Sequence, residues 1–338
     1  TIPATGCFAT IVATVTPIPS AVTVSGGGTF CGNATLTATG GAGGTIYYQG
    51  TTSGGTSIAT PLPSQSVTST GVYYFRSQSS GGCWGTQGSA AVTINPTPAA
   101  ITGVPEFCLG SSTTLANATS GGTWSSGTTS VASVNSSGVV VGVAAGTTVI
   151  TYTIPGGCFA TQVVTVHPLP SVISGTTQVC VGSTVTLSSS PTGTWTSANT
   201  TVATVGSTSG VITGINAGTS LISYAIGPIG CSLSTIVTVN PLPAAITGGS
   251  IAICVGGNAS LSSTSIGGTW GVTGSIVSVG SSTGVVTGIS SGVAVVTYTL
   301  PTGCRTTTTI TVNPLPTSIT GSLTVCEGSA TSLASTPA

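Results

Sequence analysis

Two cysteine series run through the chain in step, and they constrain its folding more than any other feature. One is Cys31, Cys108, Cys180, Cys254 and Cys326; the other is Cys7, Cys83, Cys158, Cys231 and Cys304, each advancing by 72 to 77 residues. A Pro-x-Pro marker keeps the same beat in "TPIPS" (16–20), "NPTPA" (95–99), "HPLPS" (167–171), "NPLPA" (240–244) and "NPLPT" (313–317). A chain with such a period folds as a string of like units. Four whole units follow, 19–96, 97–168, 169–241 and 242–314. Residues 1–18 repeat only the tail of a unit and 315–338 only its head. Cys7 and Cys326 thus lack partners within their own fragments, which reads as the truncation of a longer array.

Within 97–168 the pattern predicts seven strands: "AAITG" (99–103), "STTLAN" (112–117), "GGTWSS" (121–126), "SVASV" (130–134), "GVVVGV" (138–143), "TTVITYTI" (147–154) and "ATQVVTV" (160–166). Apolar residues alternate with Thr or Ser, and Gly punctuates the turns, as antiparallel strands buried on one face require. No helical period is sustained. Seven short strands in so few residues point to an all-β fold of tandem immunoglobulin-like β-sandwiches, expected to be strung out as an elongated rod.

The polar positions are filled by Gly, Ser and Thr. The 338 residues hold two Arg, two Glu and one His, with neither Asp nor Lys. Ordinary soluble domains are about 25% charged. The chain has no basic patch for nucleic acid and no apolar run long enough for membrane insertion. Paired-carboxylate hydrolysis needs two acids in one cleft, and Glu106 and Glu327 lie three units apart. A Ser-His-Asp triad lacks its Asp, calcium sites lack their carboxylates, and "SGGGTF" (25–30) has no Lys to make a phosphate loop. The composition therefore predicts no enzyme, no catalytic or metal-binding residues and no cofactor. His167 occupies a linker position where sister units carry Asn95, Asn240 and Asn313, and reads as a tolerated exposed polar site.

Cysteine usage indicates an oxidising, extracellular setting. Each cysteine of the first series precedes one of the second by 50 to 52 residues. That in-phase spacing predicts one bridge inside each unit: Cys31–Cys83, Cys108–Cys158, Cys180–Cys231 and Cys254–Cys304. Each would tie one pole of a small sandwich, and closing a loop of about 50 residues is worth about 4 kcal/mol in the loop-entropy account. A Gly-Thr-Trp follows the first cysteine in three units, and its Trp124, Trp195 and Trp270 are expected in the core on the third strand. The Pro-x-Pro linkers favour an extended path and limited bending between neighbours.

The first whole unit lacks Gly-Thr-Trp and carries "TIYYQG" (45–50) and "GVYYFRSQSSGGCWG" (71–85) instead. Tyr47, Tyr73 and Trp84 are its candidates for stacking on surface glycans. Alternation buries about half of the aromatic residues here, which favours core packing for most of them.

"TTVATVGSTSGVITGINAGTSLISY" (200–224) resembles the bacterial group 2 immunoglobulin-like domain, with its Val-Ala-x-Val, Gly-Val-(Val/Ile)-x-Gly and Ala-Gly-Thr series. Residues 130–151 and 276–298 match it too, the latter with Ser291-Gly292-Val293 in the last place. Cysteine-bracketed units joined by "NPLP" resemble the long repetitive surface proteins of Bacteroidota, gliding-motility adhesins among them. The resemblance implies secretion, through the type IX system, and display as cell-surface fibres. The expected function is thus a structural or adhesive stalk, fibre or filament. The alternative is a spacer array of a giant secreted hydrolase whose catalytic domain lies elsewhere. Near-zero charge leaves strand edges without charged guards, so copies of the chain are the expected partners, through edges and Thr/Ser ladders such as "RTTTTITV" (305–312).

Overall fold

The computed structural model describes residues 9–248 and 252–335. Among them every regular element is a strand, and no helix is long and apolar enough to cross a membrane. The chain divides into two compact units, Thr1–Pro168 and Leu169–Ala338. Each contains two β-sandwiches.

The second sandwich shows the plan. One sheet runs in the order Thr123–Ser126, Gly146–Thr153, Phe159–His167, Glu106–Cys108; the other runs Ala132–Val134, Val139–Gly142, Ser112–Thr114. Neighbours are antiparallel except at one edge, where Glu106–Cys108 lies parallel to the end of Phe159–His167 and sets Cys108 opposite His167. The expected strand at 99–103 is reduced to one bridge, Thr102 to Ala116, on the smaller sheet. The chain then crosses to the larger sheet, where the Pro105 carbonyl accepts from the Thr165 amide at 2.8 Å. A first segment divided between two sheets is an immunoglobulin-like arrangement. The parallel edge recurs as Gly28–Cys31 on Gly88–Asn95, Gln178–Cys180 on Cys231–Asn240, and Ala252–Cys254 on Arg305–Asn313.

Alternation sets the core. In Gly146–Thr153, Thr148, Ile150 and Tyr152 point inward, while Thr147, Val149 and Thr151 point outward or to the margin. Ile150 packs with Leu115, Val140, Val164 and Val166, all essentially without solvent exposure. The first sandwich closes around Leu36, Phe75 and Val92, and the fourth around Leu261, Val286, Val296 and Ile310.

The sheet edges differ from the expectation of exposed, unguarded strands. Among the described residues every edge strand is only two to five residues long. Shortness is itself a protection against edge pairing, and it needs no charge. The outer faces are not purely hydroxyl-bearing either. Val149 stands opposite Val163, and Leu221 opposite Ile236, with all four side chains exposed.

Candidate functional site at the sandwich junctions

Each sandwich places its two cysteines at opposite poles. The first-series residue ends the parallel edge strand: Cys31 lies opposite Asn95, Cys180 opposite Asn240 and Cys254 opposite Asn313, each beside the last residue before a Pro-x-Pro linker. The second-series residue sits in or just after the tight turn that precedes the last strand. In the second sandwich, Ile154 donates its amide to the Cys158 carbonyl at 2.9 Å, and Leu300 does the same to Cys304 in the fourth. From Cys158 to His167 the chain runs the length of a nine-residue strand, about 30 Å at ~3.3 Å per residue. A cystine needs Cα atoms within about 7 Å. No bridge can close between those poles.

The bridges therefore leave the sandwich. Cys31 is bonded to Cys158 of the second sandwich, with Cα atoms 5.7 Å apart and 127 residues between them in sequence. In the other compact unit Cys180 is bonded to Cys304 of the fourth sandwich, at 5.6 Å and a separation of 124. None of the expected pairs Cys31–Cys83, Cys108–Cys158, Cys180–Cys231 and Cys254–Cys304 forms. Cys83 and Cys254 carry free thiols, while Cys108 and Cys231 are in disulfide linkage. Cys326 is also free, and Cys7 lies outside the described residues.

The linker residues take part in the first junction. The Asn95 carbonyl accepts from the Gly32 amide at 2.9 Å, and the Asn95 side chain donates to the Gly156 carbonyl of the next sandwich at 2.9 Å. Gly156 has φ +97°, and a Cβ there would fall 2.6 Å from Asn95 Nδ2. The glycine preceding the cysteine by two thus lets the turn close on its neighbour. Asn95 is a junction residue, not merely a tolerated polar one. His167, in the equivalent place, meets Glu106 Oε2 at 3.0 Å through Nε2, both side chains partly exposed. In the fourth sandwich the buried Cys304 Sγ lies 3.9 Å from the Asn240 carbonyl oxygen. A shallow cleft lined by Cys180, Asn240, Thr302 and Gly303 opens beside that bridge.

The tryptophans stand on equivalent strands, Thr123–Ser126, Thr194–Ser197 and Thr269–Thr273. Trp195 and Trp270 are buried, and Trp124 is half-buried against its core. Each packs on a tyrosine of the adjacent strand that sequence reasoning left unassigned: Trp124 on Tyr152, Trp195 on Tyr224 and Trp270 on Tyr298, with ring centroids 4.7, 4.5 and 4.7 Å apart. Those tyrosine hydroxyls donate to the carbonyls of Thr119, Pro191 and Ser265 at 2.7 Å, fixing the loop before the tryptophan. A second unassigned partner is the glycine of the repeated Ser/Thr-Gly-Val: Gly138, Gly210 and Gly284 have φ between +67° and +79° and pass directly against the indole.

The aromatic cluster of the first sandwich divides into two. Tyr73 is buried, and its hydroxyl donates to the Ser69 carbonyl at 2.6 Å, so it belongs to the core and not to a glycan-facing surface. It stacks on Tyr48, whose pKa is raised by burial and, secondarily, by Tyr73. Tyr47 and Trp84 do meet, edge to face at 5.7 Å, and the Arg76 guanidinium lies 5.6 Å from the Trp84 ring centre. Arg76 Nε donates to the Gly85 carbonyl at 2.8 Å, which fixes the cation there.

Among the described residues no group of His, Cys, Asp or Glu is arranged to hold a metal ion. No family model matches the chain, and no curated protein matches it. Solved structures with similarity to it include the S-layer protein rSbsC(31-844), at 15% identity and a TM-score of 0.22 over 96% of this chain. Invasin, a bacterial integrin-binding protein, is 15% identical with a TM-score of 0.31, covering 89% of this chain and 82% of its own. The N-terminal eight Ig domains of Down Syndrome Cell Adhesion Molecule are 14% identical, with a TM-score of 0.24, over 88% of this chain and 48% of theirs. The chain spans 63% of the length of the S-layer protein.

Proposed function

We propose that the chain is a non-enzymatic structural and adhesive array that acts outside the cell, as a surface stalk or fibre built from the sandwiches bounded at 19–96, 97–168, 169–241 and 242–314. One observation carries the reading: Cys31–Cys158 and Cys180–Cys304 each join two successive sandwiches, and neither closes a sandwich on itself. Such bonds tie neighbouring domains to one another, and they persist in an oxidising compartment. Copies of the chain are the proposed partners. The support for lateral contact lies in the exposed Val149–Val163 and Leu221–Ile236 pairs and the threonine ladder of Arg305–Asn313, since the short edges disfavour strand addition. Immunogold labelling of intact source cells is expected to decorate extracellular fibres. Labelling confined to the cytoplasm would refute the reading.

Surface glycans are the proposed ligands of the Tyr47–Trp84 edge, where two half-buried rings and a fixed cation offer stacking and hydrogen bonding together. On a glycan array, Trp84→Ala is expected to abolish binding that Tyr73→Phe leaves intact. Equal retention by both variants would remove glycans from the account.

A further inference from the structure

The two bridges also define a covalent route through the chain that omits most of it. Followed from the N-terminal side, the route runs along the backbone to Cys31 and crosses to Cys158. It continues to Cys180, crosses to Cys304 and leaves along the remaining residues. Residues 32–157 and 181–303, which contain the disulfide-linked Cys108 and Cys231, lie off this route.

The parts of the sandwiches that lie on the route are already extended. Between Cys158 and the 168–170 linker lies the single strand Phe159–His167. Between that linker and Cys180 the chain traverses the third sandwich through Ser174–Gly175 and Gln178–Cys180. After Cys304 it follows the single strand Arg305–Asn313. A strand at ~3.3 Å per residue is close to the full reach of a polypeptide, ~3.3–3.6 Å per residue. Tension applied to such a segment finds almost no slack to draw out.

We propose that the skipped disulfides are a tension-bearing device: load passes along first or last strands and across the cystines, and the remainder of each sandwich is shielded from it. This goes beyond the adhesive reading and stands without it, because it rests on two bonds and on strand positions alone. The device is redox-sensitive. A dithiol reductant would cleave each S–S bond by thiol–disulfide exchange, supplying two electrons and two protons to form two cysteine thiols while becoming a disulfide itself. Residues 32–157 and 181–303 then rejoin the loaded path.

Single-molecule pulling on the whole chain, held at its two ends, tests the proposal. With cystines intact, the load-bearing path holds about 90 residues and should stop near 320 Å at ~3.6 Å per residue, without sandwich-sized steps. After dithiol treatment of the folded chain, four steps of about 72 residues should appear, each lengthening the path by some 200 Å or more, toward about 1,200 Å in all. Sandwich-sized steps in the oxidised wild-type chain would overturn the proposal. So would a reduced chain that extends no further than the oxidised one.

Discussion

A chain carrying Cys31→Ser is expected to melt at lower temperature in two of its sandwiches at once. With the bond to Cys158 in place, suppose the first sandwich unfolds while the second stays folded. Cys158 remains fixed at the pole of the second sandwich near which the chain enters it, so the residues from Cys31 to the linker form a closed loop. The converse holds when the second sandwich unfolds, since Cys31 is anchored opposite Asn95 at the exit of the first. Each loop has roughly 65 residues, and its closure removes about 4 kcal/mol of unfolded-state entropy in the chain-entropy account. One bond thereby stabilises two domains that share it. For domains of 60–100 residues, 1 kcal/mol corresponds to roughly 4–8 °C, so both transitions should fall by about 15–30 °C in calorimetry of the whole chain. Cys158→Ser should reproduce the result. Cys83→Ser, which removes a free thiol, should move neither transition. A single displaced transition would mean that the bond acts within one sandwich after all.

This example also shows where the sequence stops being legible. Pairing within units and pairing between successive units have the same period, so no count of cysteine spacings distinguishes them. What distinguishes them is the position of a strand. The alternation in "AAITG" predicts the first strand at 99–103, which leaves Cys108 in a loop with no fixed relation to His167. In the structure the strand that matters is Glu106–Cys108, parallel to the last strand. Three residues carry too little alternation to reveal it. Once that edge is known, the length of Phe159–His167 separates the two cysteines of the sandwich decisively. Other features lay open to the sequence because their cause is local. Inward and outward residues of Gly146–Thr153 follow directly from the alternation, and the Gly-Thr-Trp spacing places an indole on the third strand. Asn95 failed for the opposite reason. Its role depends on a turn 61 residues away in the next sandwich, and an exposed polar residue beside a proline shows no trace of that in the sequence.

Replacing Gly210 by alanine is expected to unfold the third sandwich at moderate temperature, and the reason explains why Ser/Thr-Gly-Val is written three times. Gly210 has φ +67°, a region that costs an L-residue about 1–2 kcal/mol. Its backbone is also pinned, because the Leu187 amide donates to the Gly210 carbonyl at 2.9 Å. An added Cβ would be driven into the Leu187 carbonyl oxygen and would lie 3.1 Å from Trp195 Nε1. The strand carbonyl cannot turn away without giving up its place beside the core. The indole is held in turn by Tyr224, whose hydroxyl is tied to Pro191. Neither neighbour yields cheaply, so strain and steric displacement together should cost about 3 kcal/mol or more, lowering that transition by some 12–24 °C. Gly227 supplies the control: it has φ +70° with nothing within 4 Å of an added Cβ, so Gly227→Ala should cost only the conformational term of about 1–2 kcal/mol. Equal losses at the two positions would show that left-handed backbone alone requires the glycine. A larger loss at Gly210 would show that the tryptophan and the adjacent strand require it as well, which is the constraint that Gly138 and Gly284 share.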